Sequence, residues 1–177
     1  MSKLDISNQV LMLLGVEMIT SFEENTINAK RLSILYDQTR KAVLREYPHT
    51  CCIKRVSLGA ITSNNSYNLP DDCLRIISVN CSYELLGRSI FTTEANPMLT
   101  YIYDNKNEGT YSSGLIEALV YMLAFKLSKS ILGEDGANMY TLYKNIIEQE
   151  KAVDSQQTLT QQFFSDDQFT FKSNTNY

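Results

Sequence analysis

The spacing of apolar residues changes twice along the chain, and this change limits the possible folds more than any other feature. From Ala29 to Tyr47, large apolar side chains recur at steps of three and four residues, which is the period of an amphipathic helix. Pro48 stops that helix, and from His49 to Thr110 short β-rich runs are separated by Asn, Gly, Pro and Asp. Helical spacing then returns. The sequence therefore predicts helices at both ends and a β unit between them.

Four helices are predicted from these periods and from capping residues. Ser2 and Asp5 form a capping box before the first helix, and Gly15 lies where a left-handed residue can end it. Ser112 or Ser113 can cap the third helix, which is apolar on nearly every side and is therefore expected to be central. The predicted helices are residues 3–14, 26–47, 113–132 and 136–153, and the β insertion is residues 50–110.

The order of these elements predicts a fold class. We expect an α+β protein that is mainly α, an up-down bundle of about four helices with a small antiparallel β insertion and an extended C-terminal arm. The body is predicted at residues 1–154 and the arm at 155–177. Within the insertion, the run from Tyr83 to Phe91 is typical of a tight hairpin, because Gly87 can adopt a positive φ.

The C-terminal segment combines a polar composition with several large apolar side chains. It is rich in Gln, Asn, Ser and Thr, so it cannot build a core alone, yet it also carries several large apolar side chains. Such a segment favours folding against a partner surface. The predicted partner-binding residues are Leu159, Phe163, Phe164, Phe169, Phe171 and Tyr177.

Charge and hydropathy exclude some functions. Sixteen Lys and Arg against 20 Asp and Glu give a net charge of −4, which argues against tight clamping of DNA phosphates. The apolar run from Leu115 to Phe125 is too short to cross a membrane, and the first residues lack the apolar core of a signal peptide. We expect a protein that folds in the cytoplasm and does not contact a membrane.

The run Pro70-Asp71-Asp72-Cys73 resembles part of a catalytic site, because it places two carboxylates beside a thiol. Consecutive residues in a turn point apart, however, whereas an acid/base pair must face one substrate. We therefore expect Asp71 or Asp72 to bond a backbone N–H, and Cys73 to begin an interior strand of the β unit.

The thiols and the single histidine give no standard site. No CxxC pair occurs among the four cysteines, which are expected to be reduced: Cys51, Cys52, Cys73 and Cys81. His49 is expected at a surface or an interface. No glycine-rich phosphate-binding loop occurs. The sequence predicts no catalytic residue, no cofactor and no metal.

A series of short motifs nevertheless resembles a known family. In the helical part these are LGV (14–16), ITSFEE (19–24), NAK (28–30), YDQTR (36–40) and LREYP (44–48). In the β region and the following helix they are KR (54–55) with Leu58, YxLPxDxLR (67–75), GR (87–88), YIY (101–103) and EAL (117–119). Their order and spacing, over roughly residues 4–154, resemble the head-to-tail adaptors of tailed bacteriophages (tail tubular protein A-like). One departure is His49, where such adaptors commonly have a tryptophan.

This resemblance implies a structural virion protein and no enzyme. The implied assembly is a dodecameric ring beneath the portal protein, which extends the DNA channel without specific binding of the genome and offers a surface to the next tail component. The C-terminal arm would reach back to the portal, and the ring would be assembled in the host cytoplasm and reside at the head–tail junction or in the tail.

Three alternatives stay open at this stage. Related ring proteins occupy lower layers of some tails, or act as head-completion or stopper proteins. A nucleic-acid-binding regulator is a different class, suggested by basic positions on and after the second helix: Lys30, Arg31, Arg40, Lys41, Arg45, Lys54 and Arg55. A thiol or metal enzyme built on the four cysteines and His49 is the third.

Overall fold

The computed structural model describes residues 1–59 and 66–165, with side chains described as far as residue 153. These parts of the chain contain four α-helices, two short 3-10 helices and six strands. The α-helices are α1 (Lys3–Leu13), α2 (Ile27–Glu46), α3 (Ser113–Leu132) and α4 (Ala137–Ser165), and the 3-10 turns are Thr50–Cys52 and Glu108–Thr110. The strands are β1 (Ile53–Ser57), β2 (Ser66–Asn68), β3 (Cys73–Val79), β4 (Glu84–Leu86), β5 (Ser89–Phe91) and β6 (Met98–Tyr103).

Local capping signals fix the helix ends. Ser2 and Asp5 form the predicted capping box at the start of α1, and Gly15 follows this helix with a φ of 68°. The side chain of Ser112 accepts a hydrogen bond from the Leu115 N–H, so it is the cap of α3. Gly133 ends α3 in the left-handed conformation with a φ of 77°. These predictions are confirmed.

The α3 helix is the centre of the helical layer, as its all-round apolar character predicts. It contacts α1, α2 and α4, and its residues Leu115, Leu119 and Leu123 are buried in the helical core. The α4 helix approaches the first turn of α3 closely, because a Cβ at Gly114 would overlap the carboxylate of Glu150. None of the helices in the described part of the chain has the length and apolar character of a membrane span.

The strands form two antiparallel sheets of three strands each. One has the order β1-β6-β3, and the other has the order β2-β5-β4. The β4–β5 hairpin is confirmed, with Leu86 opposite Ser89 and Gly87 at a φ of 61°.

The prediction that Cys73 begins an interior strand is half wrong. Cys73 does begin β3 and is buried, but β3 is an edge strand, and β6 lies at the centre.

Strand β6 joins two separate cores. Leu99 and Tyr101 lie in a core formed between the sheets, together with Tyr67 and Ile90 from the second sheet. Ile102, one residue further along β6, belongs to the helical core. Because successive side chains of a strand point to opposite faces, β6 supplies one face to each core. The first sheet is therefore a middle layer between the helices and the second sheet.

The predicted fold class is wrong in its architecture. The protein is a mixed α+β fold with two three-stranded sheets, not an up-down helical bundle with a small insertion. The strands build a core of their own and also contribute to the helical core, so they are a structural layer. Three of them, β2, β4 and β5, are only three residues long, and the β1–β6 and β2–β5 pairings join segments distant in sequence, so alternation alone could not reveal the sheets.

The extended C-terminal arm is also corrected in its first part. The fourth helix was predicted to end at residue 153, but α4 continues to Ser165. The stretch EQEKAV (148–153) favours a helix, and the DSQQT run that follows contains no stop signal, since neither Gly nor Pro occurs in residues 137–165. The rest of the predicted arm, residues 166–177, lies outside the described residues.

A buried ion pair connects the helical layer to the end of β6. Arg40 of α2 is only 2% exposed, and its Nη1 donates to Asp104 Oδ1 at 2.6 Å and to the Asn105 carbonyl at 2.7 Å. Asn105 Nδ2 in turn donates to the Cys51 carbonyl, and the Tyr111 hydroxyl donates to the Asn105 carbonyl. Arg40 is one of the basic positions that suggested nucleic-acid binding, but its burial against Asp104 and the Asn105 carbonyl withdraws it from the surface.

We expect Asp104→Ala to lower the free energy of unfolding by about 3–5 kcal/mol, because it leaves the Arg40 guanidinium buried without its carboxylate. Urea unfolding followed by circular dichroism measures this change. Asp37→Ala is the matched control. Its carboxylate also lies near Arg40, at 3.6 Å, but is 58% exposed, so its removal should cost less than about 1 kcal/mol. Equal losses in the two variants would contradict the role assigned to Asp104.

Candidate functional site

Asp72 holds two strands together through its side chain. Its Oδ2 accepts from Lys54 Nζ of β1 at 2.7 Å, and its Oδ1 accepts from the buried Tyr101 hydroxyl of β6 at 3.0 Å. Burial alone would raise the pKa of Asp72, but these hydrogen bonds outweigh it and hold the pKa below its ordinary value. The expectation that Asp71 or Asp72 bonds a backbone N–H therefore missed these partners. The role of Asp72 is structural, as the turn interpretation required.

Asp72→Asn keeps an acceptor for Tyr101 but removes the charge that faces Lys54. Because folding lowers the pKa of Asp72, its contribution is present above the unfolded-state value of 3.8 and is lost as pH falls through the folded-state value. We expect the variant to be less stable by about 0.5–1 kcal/mol at pH 7, since the pair is partly exposed to solvent. The difference should shrink as pH falls below 3.8 and disappear below the folded-state pKa of Asp72.

Urea unfolding of both proteins at several pH values tests this prediction. Asp71→Asn is the control for converting a carboxylate to an amide in the same turn, where Asp71 is exposed. A stability difference for Asp72→Asn that is the same at pH 7 and at low pH would be evidence against the ionic contribution.

Several of the basic residues that suggested nucleic-acid binding are used within the protein. Arg40 is buried against Asp104, Lys54 pairs with Asp72, and Arg31 donates to the Ser130 carbonyl at 2.8 Å. A side chain held in such contacts contributes less to a phosphate-binding surface than a free one. The basic positions are thus divided among different structural tasks and do not form one continuous stripe.

His49 is buried, which contradicts the expectation of a surface residue. It is 3% exposed, its ring lies edge-on to Tyr47 at 5.0 Å, and its Nδ1 is 3.7 Å from a carboxylate oxygen of Glu150. His49 thus fills the corner where α2 ends and contacts α4. The histidine therefore occupies a packed interior place.

The four thiols are free, as expected. Cys52 and Cys73 are buried, whereas Cys51 and Cys81 are partly exposed. Across residues 1–59 and 66–153, no three His, Cys, Asp or Glu side chains come together in a way that could hold a metal ion. Cys51 and Cys52 are nevertheless in contact, with their sulfur atoms 3.5 Å apart.

An apolar groove lies between α1 and the first half of α3. It has a volume of about 660 Å³, and its walls are mainly apolar. Met12 is 66% exposed and Leu13 is 39% exposed along this groove. The three- and four-residue spacing of Ile6, Val10, Leu13 and Leu14 predicts one buried stripe on α1, so the exposure of Leu13 corrects that prediction, and Leu11 is buried instead. The lining residues are Met1, Gln9, Met12, Leu13, Ser113, Ile116, Glu117, Val120 and Tyr121.

Sequence contained a signal for this groove that period counting missed. Residues 10–14 read VLMLL, which is wider than one apolar stripe of a surface helix. An apolar face that is too wide for one core leaves part of itself exposed. The presence of Met at position 12 is consistent with an adaptable contact surface, because its unbranched side chain fits irregular partners.

The β4–β5 hairpin presents a second exposed apolar surface. Leu85 is 52% exposed and Leu86 is 71% exposed, and both belong to β4, which forms a free edge of its sheet. Arg88 follows Gly87 in the turn and is exposed, and its Nη2 donates to the Pro70 carbonyl at 2.6 Å. An exposed edge strand with apolar side chains can pair with another chain.

The predicted partner-binding residues divide at Ser165. Leu159, Phe163 and Phe164 lie in the backbone of α4, so they belong to a helix and not to an extended segment. Phe169, Phe171 and Tyr177 lie outside the described residues. The role of these six residues as partner contacts stays a prediction. The groove and the hairpin are surfaces that sequence reasoning did not identify.

Comparison with known proteins gives no independent assignment. No family model matches the sequence. A search of the curated proteins finds no significant match either.

Proposed function

We propose that this chain is a structural virion protein that forms a ring between the portal and the tail of a bacteriophage. The single observation that carries the proposal is the exposed apolar groove between α1 and α3. Contiguous apolar surface of this kind on a soluble protein favours a protein partner. The ordered series of adaptor-like motifs supports a phage ring protein as the class.

The groove is proposed to receive the hairpin of a neighbouring copy. The hairpin carries exposed Leu85 and Leu86 with Arg88, and the groove carries Glu117 on its rim, so the two surfaces complement each other in apolar character and charge. Because the two surfaces differ, each copy would use its groove on one side and its hairpin on the other. Such heterologous contacts generate a ring when the rotation closes, and the resemblance implies twelve copies.

The C-terminal region is proposed to bind the portal. The Glu150 side chain of α4 lies against the first turn of α3, and α4 continues from there to Ser165, so its last turns extend beyond the start of that partner helix. This backbone geometry, with the aromatic residues that follow in the sequence, supports a docking element that folds on a neighbour. The surface offered to the next tail component would lie elsewhere on the ring.

The net charge of −4 suits a channel through which genomic DNA passes without specific binding. Lower-layer tail rings and head-completion or stopper proteins share the same physical requirements, and electron microscopy of the protein with its portal separates them. The regulator hypothesis is disfavoured by the internal use of Arg31, Arg40 and Lys54. The proposed role involves no catalysis, no cofactor, and no membrane.

Deletion of residues 156–177 should abolish portal binding without unfolding the body, because the two described cores lie before residue 156. A pull-down with the cognate portal measures binding, and circular dichroism measures folding. The control is the full-length chain with Asp166→Asn and Asp167→Asn, which changes the charge of the segment and keeps its aromatic residues. Normal portal binding by the folded, truncated protein would refute the role of the arm.

Met12→Glu should prevent ring formation and leave the monomer folded, because it places a charge in the apolar groove at a residue that is already 66% exposed. Ile34→Glu on α2 is the matched control, since Ile34 is 67% exposed and does not line this groove. Negative-stain electron microscopy of protein mixed with portal counts rings. Equal loss of rings in the two variants would show that the groove has no special role.

Charge reversal tests the pairing of groove and hairpin. Glu117→Arg or Arg88→Glu alone should weaken self-association at least ten-fold, and the two changes together should restore it. Sedimentation velocity measures the association. Failure of the double variant to recover, while the single variants are weakened, would exclude contact between these two residues.

A further inference from the structure

Two adjacent thiols meet at the corner between α2 and β1. Cys51 and Cys52 lie in the 3-10 turn Thr50–Cys52, and their Sγ atoms are 3.5 Å apart. Both are free thiols. Neighbouring cysteines in an extended strand would point to opposite faces, so it is the tight turn that brings the two sulfur atoms to one side.

Hydrogen bonds fix the backbone of this turn. The Cys52 N–H donates to the His49 carbonyl at 2.8 Å. The Cys51 carbonyl accepts from Asn105 Nδ2 at 2.9 Å and from the Tyr103 hydroxyl at 3.2 Å. Asn105 belongs to the network that surrounds Arg40. The position of the two sulfur atoms is therefore set by contacts that reach the core of the protein.

The two thiols differ in access and in acidity. Cys51 is partly exposed, whereas Cys52 is fully buried. A hydrogen bond from Cys52 lowers the pKa of Cys51 to about 7, against the effect of burial and with help from the Ser112 backbone. The same interaction and burial raise the pKa of Cys52. Near neutral pH, Cys51 is thus the nucleophile, and Cys52 retains its proton.

The distance between the sulfur atoms suits one bridging atom better than a direct bond. A disulfide requires about 2.05 Å between sulfur atoms. Two thiolates that share one tetrahedral ion, with bonds of about 2.3 Å, lie about 3.8 Å apart, which is close to the spacing seen here. A structural zinc site would need four ligands, and the described side chains provide no cluster of three. The fitting ligand is therefore a soft centre that needs only two protein sulfur atoms.

We propose that Cys51 and Cys52 form a dithiol binding site for trivalent arsenic compounds. This site is independent of the proposed ring function. The Cys51 thiolate attacks arsenic first, from the exposed side, and the Cys52 thiol closes the chelate. With the hydrated probe C6H5As(OH)2, two As–S bonds replace two As–OH bonds. One hydroxide leaves as water with the Cys52 proton, and the other takes a proton from the solvent, which received the Cys51 proton when the thiolate formed. Arsenic remains trivalent, so no oxidant is needed.

The test uses the reduced full-length protein with one equivalent of phenylarsine oxide. Intact-mass spectrometry should find one adduct per chain in which two thiols are blocked. The adduct should survive an excess of a monothiol and be released by 2,3-dimercaptopropanol, because only a dithiol can compete with a chelate. Loss of the adduct to the monothiol would overturn the proposal.

Variants locate the site. Cys51→Ser and Cys52→Ala should each release the adduct to a monothiol at least ten-fold faster than the unchanged protein, and the Cys73→Ser/Cys81→Ser double variant should retain it. Cys51 is partly exposed, so its variant keeps the test valid even if the buried Cys52 variant does not fold. The assignment would be refuted if Cys51→Ser kept its adduct in excess monothiol, or if the Cys73→Ser/Cys81→Ser double variant lost it. Either result would place the adduct elsewhere.

Unfolding separates a built site from two merely adjacent thiols. At pH 7 the attack of Cys51 on arsenic should be about ten-fold slower in concentrated urea. Unfolding removes the turn, and with it the contact that lowers the pKa of Cys51. A rate that is unchanged by unfolding would show that the folded turn does not create the site.

Discussion

The burial of Arg40 is the constraint on which the arrangement of the layers depends. A guanidinium that is 2% exposed must have compensating partners, and these are Asp104 and the Asn105 carbonyl, directly after β6. The position of α2 is thereby tied to the end of the strand that is central to the first sheet. Asn105 connects this network to the 3-10 turn before β1 through its hydrogen bond to the Cys51 carbonyl. Tyr111, just before α3, joins the network by donating to the Asn105 carbonyl. One charged side chain thus aligns elements that are far apart in sequence.

The features that sequence predicted are those whose causes lie within a few neighbouring residues. The capping box of Ser2 and Asp5, the left-handed Gly15 and Gly133, and the hairpin turn at Gly87 all depend on local backbone geometry. The central place of α3 was also predictable, because an apolar surface on every side requires neighbours on every side. These signals placed the first three helices, the start of α4 and the hairpin correctly, but not the end of α4.

The features that sequence missed depend on residues that meet only in the folded chain. Pairing of β1 with β6 and of β2 with β5 joins distant segments, and no local pattern encodes it. Arg40 looks like a surface residue unless Asp104 is known to face it, and His49 looks exposed unless Tyr47 and Glu150 surround it. The groove was missed for the opposite reason. Helical spacing in α1 predicts a buried Leu13, but Leu11 is the buried residue and Leu13 is 39% exposed on the groove.

The two-sided role of β6 has a consequence for how the protein tolerates change. Leu99 and Tyr101 serve the core between the sheets, and Ile102 serves the core of the helices. An insertion or deletion of one residue in this strand would exchange its faces and send a tyrosine hydroxyl into the aliphatic helical interior. Neither core can reorganise without disturbing the other. We therefore expect the described body to melt in a single cooperative transition, although it contains two hydrophobic centres.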